Sequence, residues 1–268
     1  MSQPFGESYE TLEVALPSPG IGVVRLNRPK SANALNTQMS LDLTTLFEGL
    51  QIDRAAPRCL VVTGAGGTAF CAGGDLVERR TMNDAEWQAQ HVIFERMLRA
   101  LLACPVPMIA AVNGAAYGGG CEFAAACDFV YAARTASFAL TEVTLGIMPG
   151  AGGTQTLTRA VGTRRATELI LTGTPFGAQE AERWGLVNQV IEPEALMDAA
   201  LATADRIAQN APIAVRQAKQ AIRRGIDMSL ADGLAFEIEA YNRMVPTEDR
   251  REGVRAFNEK RKPHFKGR

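Results

Sequence analysis

Two glutamates, Glu122 and Glu142, lie 20 positions apart, and each sits beside a cluster of glycines. Glu122 follows three glycines in VNGAAYGGGCEF, where a strand pattern gives way to a helical one. Glycines at such a junction let backbone N–H groups approach a ligand, and the helix N-terminus adds positive potential. That is a way to build an oxyanion site. Taken alone, a glutamate in the first turn of a helix only complements the helix dipole. Glu142 changes the weighting, because it lies in the apolar stretch FALTEVTLGIMPGAGGTQ ahead of another Gly-rich turn. An unpaired charge is costly in such surroundings, and the carboxyl group is held partly neutral. A carboxyl pair beside an oxyanion site suits proton transfer next to a carbonyl.

The third glycine cluster is TGAGGTAFCAGGDL, in which Gly73 and Gly74 leave the Ala72 N–H accessible. By itself a Gly-rich loop after a strand is an ordinary turn. Other chemistries lose their usual motifs. There is no G-x-x-x-x-G-K-[ST], no G-x-G-x-x-G and no G-x-S-x-G. The two histidines, His91 and His264, fall in a helical pattern and near the C-terminus, which leaves Ser-His-Asp acyl transfer without a base.

Five cysteines, Cys59, Cys71, Cys104, Cys121 and Cys127, form no C-x-x-C pair and are odd in number. Neither a zinc site nor a disulfide framework is implied, and a reducing cytoplasm fits best. Lys and Arg number 28 against 29 Asp and Glu, a net charge of −1, so a general electrostatic grip on nucleic acid or an anionic membrane has no support. No apolar run reaches the roughly 18 to 20 residues of a membrane helix. The nearest approach, Pro105 to Ala116, is broken by Asn113 and Gly114. The N-terminus MSQPFGESYE lacks the marks of a targeting peptide, so the mature protein is expected to begin near Met1.

The elements that must position these residues alternate. Strand patterns at Gly22 to Leu26, Cys59 to Thr63, Met108 to Val112 and Asp128 to Ala132 are separated by helical ones at Thr37 to Ile52, Asp84 to Ala103 and Cys121 to Ala126. This rhythm predicts an α/β core over residues 1–192. From Pro193 the pattern is helical throughout, at Pro193 to Gln209, Pro212 to Arg224, Ser229 to Met244 and Glu248 to Lys260. Residues 193–268 therefore read as a helical C-terminal region, with Pro193 and Pro212 at helix starts and Gly225 at a helix end.

The segments LNRPKSANALN, GAGGTAFCAGGDL, AAVNGAAYGGGCEFAAACDF and LTEVTLGIMPGAGGTQTL, in this order and spacing, resemble the enoyl-CoA hydratase/isomerase (crotonase) superfamily. The resemblance runs from about Leu12 to Lys266 and includes the ending FNEKRKPHFKG. It implies a crotonase-like spiral of ββα units with a C-terminal helical region that covers the active site and forms a homotrimer or homohexamer. It implies an acyl-CoA thioester substrate whose oxygen lies between the N–H groups of Ala72 and Gly119. Hydratases of the family use two glutamates, which fall on Glu122 and Glu142. The implied reaction is syn addition of water across a trans-2-enoyl-CoA to give a 3-hydroxyacyl-CoA. In it Glu122 deprotonates the water that attacks C3, and Glu142 delivers a proton to C2.

On the same resemblance no metal or redox cofactor is needed, and CoA enters as part of the substrate. CoA contacts fall on Lys30, Ala32, Ala34 and Leu35, and on Phe257 and Lys260 of a neighbouring subunit. A solvated loop lysine, helix packing and a solvated helix face are the plain readings of Lys30, Phe257 and Lys260. Asp75 matches an acid that stabilises its loop. Acyl-chain selection falls in the segment Leu76 to Arg99. The tail and the MPGAGGTQ loop also resemble methylglutaconyl-CoA hydratases, one branch of which binds RNA through a Lys-rich helix. The matching region here, NTQMSLDLTTLFEGLQIDRAAP, has no Lys and a single Arg, so that footprint is absent. A 3,2-enoyl-CoA isomerase would keep Glu142 as proton shuttle and make Glu122 structural.

Overall fold

The computed structural model describes residues 4–53 and 55–268. Met1, the expected start of the mature chain, and Arg54, the single arginine of the stretch compared with RNA binders, lie outside them. The chain opens with the hairpin β1 (Leu12–Ser18) and β2 (Ile21–Leu26), then α1 (Thr37–Ile52), β3 (Cys59–Gly64), β4 (Ala69–Cys71), α2 (Leu76–Arg79) and α3 (Asp84–Ala103). It continues through β5 (Met108–Val112), β6 (Ala115–Tyr117), α4 (Gly119–Ala126), β7 (Phe129–Ala133), β8 (Ser137–Ala139), α5 (Gly153–Val161) and α6 (Thr163–Thr172). The remaining elements are β9 (Phe176–Gly177), α7 (Ala178–Trp184), β10 (Gln189–Ile191), α8 (Leu196–Ala208), α9 (Pro212–Gly225), α10 (Leu230–Asn242) and α11 (Glu248–Asn258).

Local chemistry explains the two longest helices of the core. Asn36 accepts the Met39 N–H at the start of α1, and Asn83 forms a capping box with Glu86 at the start of α3. Both helices run over the residues their pattern predicts. The strands β3 and β5 are buried along their whole length, as expected of parallel strands covered on both faces.

The strands form two sheets, a larger one ordered β1-β2-β3-β5-β7-β10 and a smaller one ordered β4-β6-β8-β9. Pairing is parallel except for β1 with β2 and β8 with β9. A strand of the larger sheet is followed by one of the smaller sheet and then by helix, as in β3-β4-α2-α3, β5-β6-α4 and β7-β8-α5. Repetition of that unit makes the spiral.

After β10 the chain is helical. Buried Ala200 and Ala204 set α8 against the larger sheet. Asp128 ties α9 to the core by ion pairs with Lys219 at 2.7 Å and Arg223 at 3.0 Å. Several boundaries shift by one to three residues from the expected ones; nearest the site, α4 starts at Gly119 instead of Cys121 and β7 covers Phe129–Ala133 instead of Asp128 to Ala132. Among the described residues no helix is long and apolar enough to cross a membrane.

Candidate active site

The smaller sheet delivers both glutamates. At the end of β6 Gly118 takes φ +49°, in the left-handed region, while its N–H donates to the Ala139 carbonyl at 2.8 Å. This turn aims the first turn of α4 inward, leaving Glu122 only 3% exposed. Its Oε1 accepts the N–H groups of Ala151 at 2.8 Å and Gly153 at 2.7 Å, both from the Gly-rich turn that opens α5. Glu142, beyond β8, begins a short 3-10 turn and is also buried. Its Oε2 has no hydrogen-bond partner among the described residues. A Cβ on Gly118 would stand 3.2 Å from Glu142 Oε1, which places this carboxyl group against the start of α4.

Burial pushes the Glu122 carboxyl up to about 7, with the Glu142 charge adding to the rise and the Gly153 and Ala151 N–H groups opposing it. Burial raises Glu142 as well. Two carboxyl groups in one cleft, both tilted toward the neutral form by burial, are suited to passing protons to and from a ligand held there.

The oxyanion donors differ from expectation at one position. The Ala72 N–H is engaged, donating to the Ala32 carbonyl at 3.0 Å, so it is not the free donor of this loop. Leu35 instead forms a parallel bridge with Gly74. The Leu35 N–H donates to the Gly73 carbonyl at 2.7 Å, and the Asp75 N–H donates to the Leu35 carbonyl at 2.9 Å. A bridge of this kind engages the neighbours of Gly74 and turns its own N–H to the other side. That N–H has no backbone partner among the described residues. A Cβ on Gly119 would stand 3.8 Å from the Gly74 nitrogen, so the two loops face each other. The Gly119 N–H begins α4 and belongs to the donors a helix leaves unpaired. Between the loops Gly73 takes φ +92°, where a Cβ would lie 2.8 Å from the Tyr117 carbonyl oxygen.

The same cleft is lined by Leu35, Gly74, Gly119, Glu122, Glu142 and side chains of α2 and α3. The Leu35 N–H and carbonyl both take part in the bridge, and the residue lines the cleft. Ala32 is left-handed at φ +48°, and Ala34 is buried, its carbonyl accepting Arg28 Nη1 at 2.6 Å. Lys30 is exposed on the adjoining turn. Asp75 caps α2 through the Val77 and Glu78 N–H groups and pairs with Arg28 at 2.9 Å, the stabilising role expected of it. Phe257, 84% exposed, and Lys260, exposed just past α11, do not line the cleft of their own chain. The residues that motif reading missed are Gly74 and the two donors to Glu122, Ala151 and Gly153. The only signal for the latter was the glycine run itself.

The spiral of strand, strand and helix is the crotonase fold. The enoyl-CoA hydratase from Bacillus anthracis superposes with a TM-score of 0.94 at 43% identity, covering 97% of this chain and all of that one. A short-chain-enoyl-CoA hydratase of Clostridium acetobutylicum is 43% identical over 90% of this chain and 92% of its own length. A 2,3-dehydroadipyl-CoA hydratase of Escherichia coli is 42% identical over 92% of this chain and 95% of its own. The family model described as enoyl-CoA hydratase/isomerase matches residues 17–268. The chain belongs to the enoyl-CoA hydratase/isomerase family and is an enzyme of the enoyl-CoA hydratase kind.

Proposed function

We propose that the protein adds water in syn fashion across the double bond of a trans-2-enoyl-CoA, giving a 3-hydroxyacyl-CoA. The thioester oxygen rests between the N–H groups of Gly74 and Gly119, which stabilise the enolate-like state as charge moves onto that oxygen. Glu122 holds the water and takes its proton as oxygen attacks C3. Glu142 delivers a proton to C2. The observation that carries this reading is the holding of Glu122 by two backbone donors on one oxygen. That leaves its second oxygen for a ligand water and fixes the carboxylate without a cationic partner to quench its basicity.

The magnitudes suffice. An oxyanion donor is worth about 10² to 10³ in rate and each acid–base group about 10² to 10⁴. CoA enters as part of the substrate, with the turn from Lys30 to Leu35 beside its adenine end. Residues 1–192 form the unit that carries the site, and residues 193–268 the unit that covers it. In a homotrimer or homohexamer, Phe257 and Lys260 reach a neighbouring CoA. The exposed apolar side chains Leu230, Leu234, Ile238 and Tyr241 on α10 support burial against another copy.

The test is loss of the conjugated enoyl-thioester absorbance when the purified protein meets crotonyl-CoA, with the product identified by mass. Gain of one water supports hydration. Migration of the double bond in a 3-enoyl-CoA, without uptake of water by crotonyl-CoA, overturns hydration in favour of isomerase chemistry.

A further inference from the structure

The wall of the cleft built by α2 and α3 carries a cation with no acid bound to it. Arg79, the last residue of α2, lines the cleft with its guanidinium carbon 4.4 Å from the Trp87 ring centroid and 5.0 Å from that of Phe94. Its Nε donates to Gln90 Oε1 at 2.7 Å. Gln90, 3% exposed, is fixed in turn by donating to Thr37 Oγ1 at 2.9 Å and Glu78 Oε2 at 2.7 Å. A buried hydrogen-bond chain therefore orients the guanidinium, while its two Nη atoms have no hydrogen-bond or ion-pair partner among the described residues.

The acid whose field reaches Arg79 is Glu78, and its carboxylate is already taken up by Gln90 and the Thr37 N–H. Arg28 makes the contrast: on the other side of the same loop it is paired with Asp75 at 2.9 Å. A half-buried guanidinium stacked on aromatic rings, held at Nε and open at both Nη atoms, presents the planar fork that a carboxylate or phosphate matches. Nη1 lies 3.3 Å from where a Cβ on Gly74 would stand. A thioester oxygen held at Gly74 and Gly119 would therefore place the thioester end of the acyl group close to this fork. Leu76, Trp87 and Phe94 are the apolar side chains of that wall, and His91 of α3 lines the cleft with them.

We propose that Arg79 selects the acyl chain by receiving a carboxylate borne on it, so that the preferred substrates are 2-enoyl-CoA thioesters with a terminal carboxyl group. This rests on the hydratase reading above. A phosphate of the CoA moiety has the same chemistry, and the experiment separates the two sources.

The experiment compares kcat/KM for glutaconyl-CoA and pent-2-enoyl-CoA, equal in chain length and differing in the terminal carboxylate, in the wild type, Arg79→Met and Arg79→Lys. The wild type is expected to favour glutaconyl-CoA. Arg79→Met should cut turnover of glutaconyl-CoA by about 10²-fold, the usual effect of losing one partner of a desolvated charge pair, and leave pent-2-enoyl-CoA within a few-fold. Arg79→Lys should fall between, because a point charge replaces the fork. An equal loss on both substrates assigns Arg79 to the CoA phosphates or to packing and overturns the proposal. A wild-type preference for pent-2-enoyl-CoA overturns it whether or not the variants fold. Hydration of neither substrate defeats the underlying reading instead, and this one with it.

Discussion

Gly153 gives Glu122 both a hydrogen bond and the space to receive it. Its N–H reaches Glu122 Oε1 at 2.7 Å, while a Cβ on the same residue would lie 2.9 Å from that oxygen and from Glu122 Cγ. Gly153→Ala therefore displaces the carboxylate without removing it. Hydration should fall about 10²-fold, the scale of an ångström's misplacement of a reacting group. Overpacking at this depth should cost about 1 to 3 kcal/mol of stability. Steady-state kinetics and urea unfolding measure the two effects, and wild-type turnover would show that the position of this carboxylate does not matter.

Gly119 is an oxyanion donor that proline would delete, with added bulk where a Cβ would already stand 3.1 Å from Leu35 Cδ1. It is the first residue of α4, a position that suits proline because its N–H has no partner within the helix. Gly119→Pro should lower kcat by about 10² to 10³. Far-ultraviolet circular dichroism should retain the wild-type helix content. Undiminished kcat would remove Gly119 from the site.

Burial of Glu122 makes stability depend on pH. Its carboxyl group moves from an ordinary 4.5 to about 7 on folding, chiefly through desolvation. Below pH 4.5 it is protonated in both folded and unfolded chains and carries no penalty. As pH rises from 4.5 to 7 the unfolded chain ionises first, and the folded state loses up to about 3 kcal/mol that it does not recover above 7. Glu122→Gln keeps an acceptor for the Ala151 and Gly153 N–H groups and does not ionise. The variant should gain on the wild type in urea midpoint between pH 5 and pH 8, and a constant difference across that range would contradict the shift.

The loop that carries Gly74 is anchored by Asp75. Asp75→Ala removes a helix cap and leaves Arg28 without its acid, with an expected loss of about 2 to 3 kcal/mol. Asp75→Asn keeps an acceptor for the Val77 and Glu78 N–H groups and should lose less. Equal losses in the two variants, read from thermal or urea unfolding, would assign the whole effect to the ion pair.

The parts of this fold legible in the sequence are those with local signals. Asn36 and Asn83 mark the starts of α1 and α3, and the apolar run of β5 stands out by itself. The smaller sheet left no such mark. Its strands β4, β6, β8 and β9 are two or three residues long and owe their existence to neighbours far along the chain. The edge strand β1 was hidden by Pro17 and by a mostly exposed side-chain pattern. Helices α5 to α7 were masked by the Gly-rich turn and short connections around them.

At the site, the two glutamates could be singled out because each lies beside a glycine cluster, whereas Gly119 was implied only by the family resemblance. The choice between Ala72 and Gly74 could not be read, since it depends on which N–H the bridge with Leu35 leaves free. Arg79 was likewise invisible as a ligand-facing group. What distinguishes it from a surface arginine is the aromatic pair beneath it and the missing acid above it.

The proposed chemistry rests on two carboxyl groups and not on the fold alone. It is tested most directly by Glu122→Gln, assayed for loss of crotonyl-CoA absorbance and, by calorimetry, for binding of the acyl-CoA. Hydration should fall by at least about 10²-fold, the low end for one acid–base group, with affinity changed only a few-fold. Turnover equal to the wild type, with binding intact, would contradict it.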